Sequence, residues 1–571
     1  MKESSFWQYT RENIIGQNTK IKTPFGERLI TYADYTASGR GVYFIENYLT
    51  DIMKLYGNTH TEDDATGIIT TKLLKKAEQT IKRLVNAGEH YKIIQEGYGS
   101  TGAIHRLQKI LGIYIPPVLR ENIKKLINDY FKGLEDERDK MLDYINSKRP
   151  VVFVGPYEHH SNELTWREGF CEVIEVELNS NGLIDLIDLE KKLNRYSGDD
   201  RIKIGSFSAC SNVTGIKSPV YEIARILHNY GAYAFFDFSA SAPYIDIDVC
   251  HDRDSYFDAI FFSPHKFLGG PGSCGILILH EKLYRTDLPP TCSGGGTVDY
   301  VGFTTQLYSR DIEVREKPGT PGILQMMKAA LAMELKEKLG VDKIEEREYE
   351  LTSRAINYLS EIPHIEILGN PDPSRRIGII SFNIAVGDGY LHPRFIVRLL
   401  NDLFGIQARA GCSCAGPYGH RLLHIDYDKS MKYRRLIQDG FAGLKPGWAR
   451  ISLHYLMTDD EVEFILDAIS FIAENGQYFL PLYFFDLHTG TWKHRDFEDS
   501  ESPSGIDGFG IDEAMSISGV KEEGPGERKS YYHSYLFTAR ELARGLKKDF
   551  SPGKLKETED DLISFIYYDI K

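Results

Sequence analysis

A series of short, almost unbroken apolar runs constrains this chain more than any other feature: "PVVFVG", "RIKIGSFS", "AYAFFDFS", "DAIFFS" and "GILIL". A strand with one wet face alternates apolar and polar residues, whereas a strand apolar throughout is covered on both faces. Helical periods stand between the runs. "PVYEIARILHNYG" reads as a helix closed by Gly231, and "ATGIITTKLLKKAEQTIKRLVNA" puts Ile69, Leu73, Leu74, Ala77, Ile81 and Leu84 on one helical face. The pattern predicts an α/β fold over residues 31–310, with a mostly parallel sheet flanked by helices. Ligands of such sheets sit beyond the carboxyl ends of the strands, so the residues just after each strand carry the functional reading.

Past about residue 310 the texture changes. "GILQMMKAALAMELKEKLG" is a long helix, and mixed strands and helices up to residue 475 predict a second, smaller α+β domain. Residues 1–30 are expected to pack on that small domain. Residues 476–571 form a C-terminal extension, in which the acidic, Gly/Ser-rich "DFEDSESPSGIDGFGIDEAMSISGVKEEGPGERKS" reads as a linker before a candidate helix, "YLFTARELARGLKK". The net charge of −14 argues against a nucleic-acid-binding surface spread over the whole molecule and leaves room only for a local basic patch. No run approaches the roughly 18 apolar residues of a membrane span. The start, "MKESSFWQYTRENIIG", lacks the apolar core of a secretory signal, so the protein is expected in the cytoplasm. Seven cysteines, an odd number on a long chain, point to thiol chemistry rather than a disulfide framework.

After "KIIQ" the turn Gly99-Ser100-Thr101-Gly102 opens a helix, where free N–H groups favour an anion, although such a turn is also an ordinary connection. After "VVFVGPY" come Glu158, His159 and His160. No further ligand cluster stands at metal-binding spacing, and the default for these histidines is structural. After "IGSFSAC" comes the polar turn Ser211-Asn212-Val213-Thr214-Gly215. Asp237 closes a very apolar strand, where a carboxylate is costly unless a cation or strong donor meets it. Lys266 follows the next strand inside "FSPHKFLGG". An anion-binding turn, an aromatic-sized histidine, a buried acid and a lysine form the set that pyridoxal phosphate (PLP) asks for: the lysine forms the Schiff base, the acid keeps the pyridine nitrogen protonated, and the turn holds the phosphate.

These motifs resemble those of the class V aminotransferase superfamily of fold type I PLP enzymes, and most closely those of cysteine desulfurases and selenocysteine lyases, over roughly residues 30–470. The fold so implied is a PLP-dependent transferase with a seven-stranded large-domain sheet. "FSPHKFLGG" is similar to a Ser-x-His-Lys motif, implying Lys266 as Schiff-base lysine with Ser263 and His265 on the phosphate. "GSTGAI" implies Ser100 and Thr101 on the phosphate, and "EHHSN" implies His159 stacked on the ring and moving protons. "SNVTG" implies Asn212 on the cofactor hydroxyl, and Asp237 matches the pyridinium partner. "EKPGTP" implies Thr320 reaching the phosphate of a second subunit, hence a homodimer with shared sites.

In the small domain "ARAGCSCAGP" resembles the desulfurase Arg-x-Gly-x-x-Cys-Ala loop, with Cys414 as nucleophile. "WARISLHY" implies Arg450 clamping the substrate carboxylate. The implied activity removes sulfur from L-cysteine, leaving alanine and a persulfide on Cys414, with a protein sulfur acceptor as a possible partner. The sequence departs from the pattern at Ala240, where Gln or His is usual, at Gly102, where Glu is common, and at Cys412, where the family often has His. Ala240 motivates an alternative, an aminotransferase, epimerase or lyase acting on another amino acid; a non-catalytic binding platform is a further one. The insertion at 116–149 and the extension fall outside the resemblance.

Overall fold

The computed structural model describes residues 3–59, 61, 63–497, 510–511, 515, 528–546, 548, 551–553, 562 and 565–568. The acidic linker expected at 496–530 lies, but for a few positions, outside the described residues. The chain divides into two compact units, one of Ser38–Ser211 and Lys217–Asp342, the other of Met1–Ala37, Asn212–Ile216 and Lys343–Lys571.

The first unit is built on a seven-stranded sheet: β1 (Tyr91–Glu96), β2 (Val151–Val154), β3 (Glu172–Glu175), β4 (Lys203–Ser208), β5 (Tyr233–Asp237), β6 (Ala259–Phe262) and β7 (Gly275–His280), in the spatial order β1-β7-β6-β5-β4-β2-β3. Strands β2 to β6 pair in parallel, while β7 runs antiparallel to both β6 and β1. The apolar runs read from the sequence are its buried central strands: every residue of β2, β4 and β6 is buried. Val152, Ile204, Phe235, Phe261 and Leu277 pack there against Ile104 and Leu107 of a flanking helix. Gly231 closes the helix Val220–Asn229 at φ +65°, the left-handed position that glycine takes without a Cβ penalty.

Two helices of this unit, α1 (Ala65–Leu84) and Ile323–Leu339, pack along each other. The second is buried nearly all round, through Met326, Met327, Ala329, Ala330, Met333 and Leu335. That burial takes it into the first unit, so compactness divides the chain at Asp342, beyond the change of texture near residue 310. The insertion forms two helices, Pro117–Tyr130 and Glu135–Ser147, neither with a buried residue.

In the second unit β8 (Ile365–Ile367), β9 (Ile379–Val386), β10 (Arg409–Gly411) and β11 (Trp448–Ser452) have the order β8-β9-β11-β10 in a five-stranded sheet, with the short Gly389–Tyr390 also paired on β9, antiparallel throughout. The N-terminal Thr31–Tyr32 pairs in parallel with Ile406–Gln407. The C-terminal helix Arg528–Gly545 packs on Asp459–Asn475, with the Tyr532 and Phe464 rings stacked 4.1 Å apart. Glu461, 6% exposed, joins both termini by accepting from Arg11 at 2.7 Å and pairing with Arg528 at 3.2 Å. Among the described residues no helix is long and apolar enough to cross a membrane.

Glu348 in this unit gives a pH test of stability. Burial pushes its carboxyl up to about 8, opposed by the Gly378 N–H, which donates to Oε2 at 2.9 Å. The unfolded group ionises near 4.5. The folded protein therefore keeps a proton that the unfolded chain releases, so this contribution to stability is intact below about 4.5 and is lost as pH rises toward about 8. Glu348→Gln is expected to flatten the fall in Tm across that window, measured by calorimetry. An unchanged slope would mean that the buried carboxyl is already ionised.

Candidate active site

In the first unit β1 runs through Gly99, at φ +64°, into α2 (Gly99–Ile110). A Cβ at Gly99 would lie 2.8 Å from Ser263 Oγ and 3.2 Å from the His265 ring, so glycine lets this turn close on the loop after β6. The Ser100 N–H donates to Ser263 Oγ at 2.9 Å, leaving the Ser263 hydroxyl hydrogen and the other early N–H groups of α2 to meet an anion. Thr101 Oγ1 shares a 2.7 Å hydrogen bond with Ser161 Oγ, which lies 3.0 Å from His159 Nδ1. The Ser161 N–H donates to the same Nδ1 at 3.2 Å, fixing the ring's orientation and placing the proton of the neutral imidazole on Nε2.

Lys266 ends the short turn Pro264–Lys266, with its N–H donating to Ser263 O at 3.0 Å. The Gly39 N–H donates to His265 O at 2.9 Å, and a Cβ at Gly39 or Gly270 would lie 2.0 Å from the Phe267 carbonyl oxygen or 1.9 Å from that of Pro264. The backbone under Lys266 is therefore pinned, while its side chain stays partly exposed. Asp237, at the end of β5 and 4% exposed, accepts from the Ser239 N–H at 2.9 Å on Oδ1. Burial pushes its carboxyl up, opposed by Ser239 and by the charge of Lys266. Burial and the same lysine push His265 down to about 4, so its imidazole is neutral near pH 7.

Glu158, to which the sequence reading gave no role, is buried in the same unit, where the charge of Asp237 reaches it. It accepts from Ser208 N, Ser208 Oγ and Asn162 Nδ2 at 2.8, 2.6 and 2.7 Å, and burial pushes it up to about 7. Thr320 is exposed and accepts from Asn58 Nδ2 at 3.1 Å.

Three further candidates, Asn212, Cys414 and Arg450, share the second unit. Arg450 on β11 is 3% exposed; its Nη1 donates to Asn212 O and its Nη2 to Asp34 Oδ1, both at 2.9 Å, and its Nε–H has no partner among the described residues. The Asn212 amide donates to Ser413 O at 2.6 Å. Cys414 is exposed and follows β10 in a turn where Ser413 and Cys414 have φ of +49° and +57°. Left-handed backbone at two successive non-glycine residues is uncommon and collects at functional loops. Burial lowers the Arg450 pKa, while Asp34 and, more weakly, Cys414 favour the charged guanidinium. Asp34 and Arg409 were not singled out from the sequence. The acid in "YADYT" gives no local sign of the two arginines it meets, and the only hint of Arg409 was its place in the cysteine motif.

Comparison with known proteins supplies the family. Residues 141–465 match the family model "Aminotransferase class-V". The chain belongs to the class V aminotransferases. A Halalkalibacterium halodurans protein named "Probable cysteine desulfurase" is 29% identical over 68% of this chain and 84% of its own length. A Staphylococcus aureus protein of the same name is 28% identical over 69% of this chain and 84% of its own. Two solved structures share the fold. A cysteine desulfurase from Thermococcus onnurineus in its apo form has a TM-score of 0.59 at 22% identity, covering 78% of this chain and 95% of its own. The cysteine desulfurase CsdA from Escherichia coli has 0.59 at 20%, covering 83% and 99%.

Members of the family are PLP-dependent enzymes of fold type I, and the residues present fit that cofactor. Asp237 is a buried carboxylate within reach of the charge of Lys266, the kind of group that a pyridinium N–H requires. Ser100, Thr101, Ser263 and the α2 N–H groups supply phosphate donors, and Lys266 supplies the amine.

Proposed function

We propose that the protein is a cysteine desulfurase, which takes sulfur from L-cysteine, releases alanine and keeps the sulfur as a persulfide on Cys414. The observation that carries this reading is the exposed Cys414 thiol, held in a left-handed turn by the same residues that hold the buried Arg450. The names of the relatives support it.

Bound PLP supplies an electron sink for charge developing at the substrate Cα. The chain supplies the rest. Ser100, Thr101, Ser263 and His265 would hold the phosphate, and Asn212 would serve the cofactor hydroxyl. Asp237 would keep the ring nitrogen of the bound cofactor protonated. Arg450 holds the substrate carboxylate through its Nε–H edge. The Lys266 amine takes the Cα proton, and His159, ordered by Ser161, helps move it. The Cys414 thiolate attacks the substrate sulfur, so one S–S bond forms as the Cβ–S bond breaks.

The exposed Thr320, and a hairpin (Val298–Val301 with Gln306–Tyr308) bearing exposed Tyr300, Val301, Phe303 and Leu307, support a homodimer in which Thr320 serves the second subunit. All seven cysteines are free thiols, which fits the reducing cytoplasm. The persulfide then requires a thiol acceptor, small or protein-borne.

Cys414→Ser tests the reading. Alanine and sulfide formation from cysteine should be lost while the visible absorbance of lysine-bound cofactor remains. Activity that survives the change assigns the site to another amino-acid reaction of the family, the alternative that Ala240 motivates.

A further inference from the structure

Two guanidinium groups face each other across one pair of strands. Arg409 on β10 and Arg450 on β11 are register partners, and like charges placed opposite on an antiparallel pair repel. Asp34 sits between them, with Oδ2 accepting from Arg409 Nε and Oδ1 from Arg450 Nη2, each at 2.9 Å. Arg450 Nη1 donates to Asn212 O at 2.9 Å, and the Asn212 amide donates to Ser413 O at 2.6 Å. The circuit Arg409–Asp34–Arg450–Asn212–Ser413 thus leaves the strand that enters the cysteine turn and returns to the turn itself. Left-handed backbone at Ser413 and Cys414 costs on the order of 1–3 kcal/mol per residue and persists only when its surroundings hold it. This circuit holds Ser413.

We propose that Asp34 is a positioning residue that couples the carboxylate clamp to the cysteine turn, so that a substrate carboxylate seating on Arg450 loosens the circuit and frees Cys414. Arg450 is 3% exposed, and its Nε–H, without a partner among the described residues, is a donor left for an incoming anion. A second carboxylate on that guanidinium competes with Asp34, because two anions sharing one buried cation repel. Asp34 keeps Arg409, which is half exposed, as its remaining partner. The inference rests on the desulfurase reading only for the identity of the incoming carboxylate.

The test treats the holoenzyme with iodoacetamide and follows alkylation of Cys414 by peptide mass spectrometry, with the exposed Cys292 as internal control. L-alanine, the product amino acid, is the probe, and its seating is read separately from the visible spectrum of the cofactor. Alanine should speed alkylation of Cys414 several-fold and leave Cys292 unchanged. Asp34→Asn should raise the alanine-free rate to a similar level and abolish the response. Arg409→Gln, at a half-exposed position, should behave alike and serves if Asp34→Asn does not fold. The proposal is overturned if alanine changes the spectrum but leaves the Cys414 rate unchanged or lower, or if the variants alkylate like the wild type. A spectrum indifferent to alanine counts against the desulfurase reading, and the alanine-free comparison then decides the coupling by itself.

Discussion

Lys266→Ala should lower alanine formation from cysteine by on the order of 10³-fold or more, because in the proposed reaction the change removes both the covalent anchor of the cofactor and the base at the substrate Cα. The fold should survive. The backbone at Lys266 is fixed by Ser263 O, by Gly39 and by the close approach at Gly270, none of which involves the lysine side chain. The side chain is only partly buried, so its truncation opens no sealed core cavity. Asp237 feels the change, since the charge of Lys266 is one of the influences that favour its ionised form. A folded variant by circular dichroism, without the absorbance of lysine-bound cofactor and without activity, is the expected result. Activity within tenfold of wild type would remove Lys266 from the chemistry.

The parts of the fold legible in the sequence were those set by local pattern. Continuous apolar runs gave the buried strands, and Gly231 marked a helix end because a left-handed residue there needs no distant partner. The reversed direction of β7 was not read from the runs, since a strand buried on both faces looks the same either way along. The signal lay in its connection. The short, glycine-rich stretch 263–274 holds only one turn of helix, whereas parallel neighbours need a crossover, usually helical.

Site residues divide in the same manner. Lys266 and Asp237 declare themselves as polar groups at the ends of apolar strands. Asp34 does not, because its cost of burial is offset by Arg409 and Arg450, some 375 and 416 positions away in the chain. Asn212 read as a polar turn after β4. Yet Asn212–Ile216 joins the second unit, through bonds such as Ser381 Oγ to Val213 O at 2.6 Å and Ile377 N to Gly215 O at 3.0 Å. Partners chosen at such distances leave no trace in local composition.

Arg450→Leu should raise KM for cysteine by about a hundredfold, since charge-assisted hydrogen bonds to a carboxylate contribute about 1.5–3 kcal/mol each. It should also destabilise the protein, for a separate reason. Removing one partner of a buried pair typically costs about 3–5 kcal/mol, because the other charge is stranded. Here Asp34 is stranded only in part. Arg409 still reaches Oδ2 from a half-exposed position, so the loss should fall below that range. The double variant Asp34→Asn with Arg450→Leu separates the two effects. With no acid left to strand, Tm should recover toward that of the wild type, while KM should stay as high as in Arg450→Leu alone. Recovery of KM together with Tm would mean that Arg450 serves only as the counter-ion of Asp34, and the carboxylate clamp would have to be sought elsewhere in the chain.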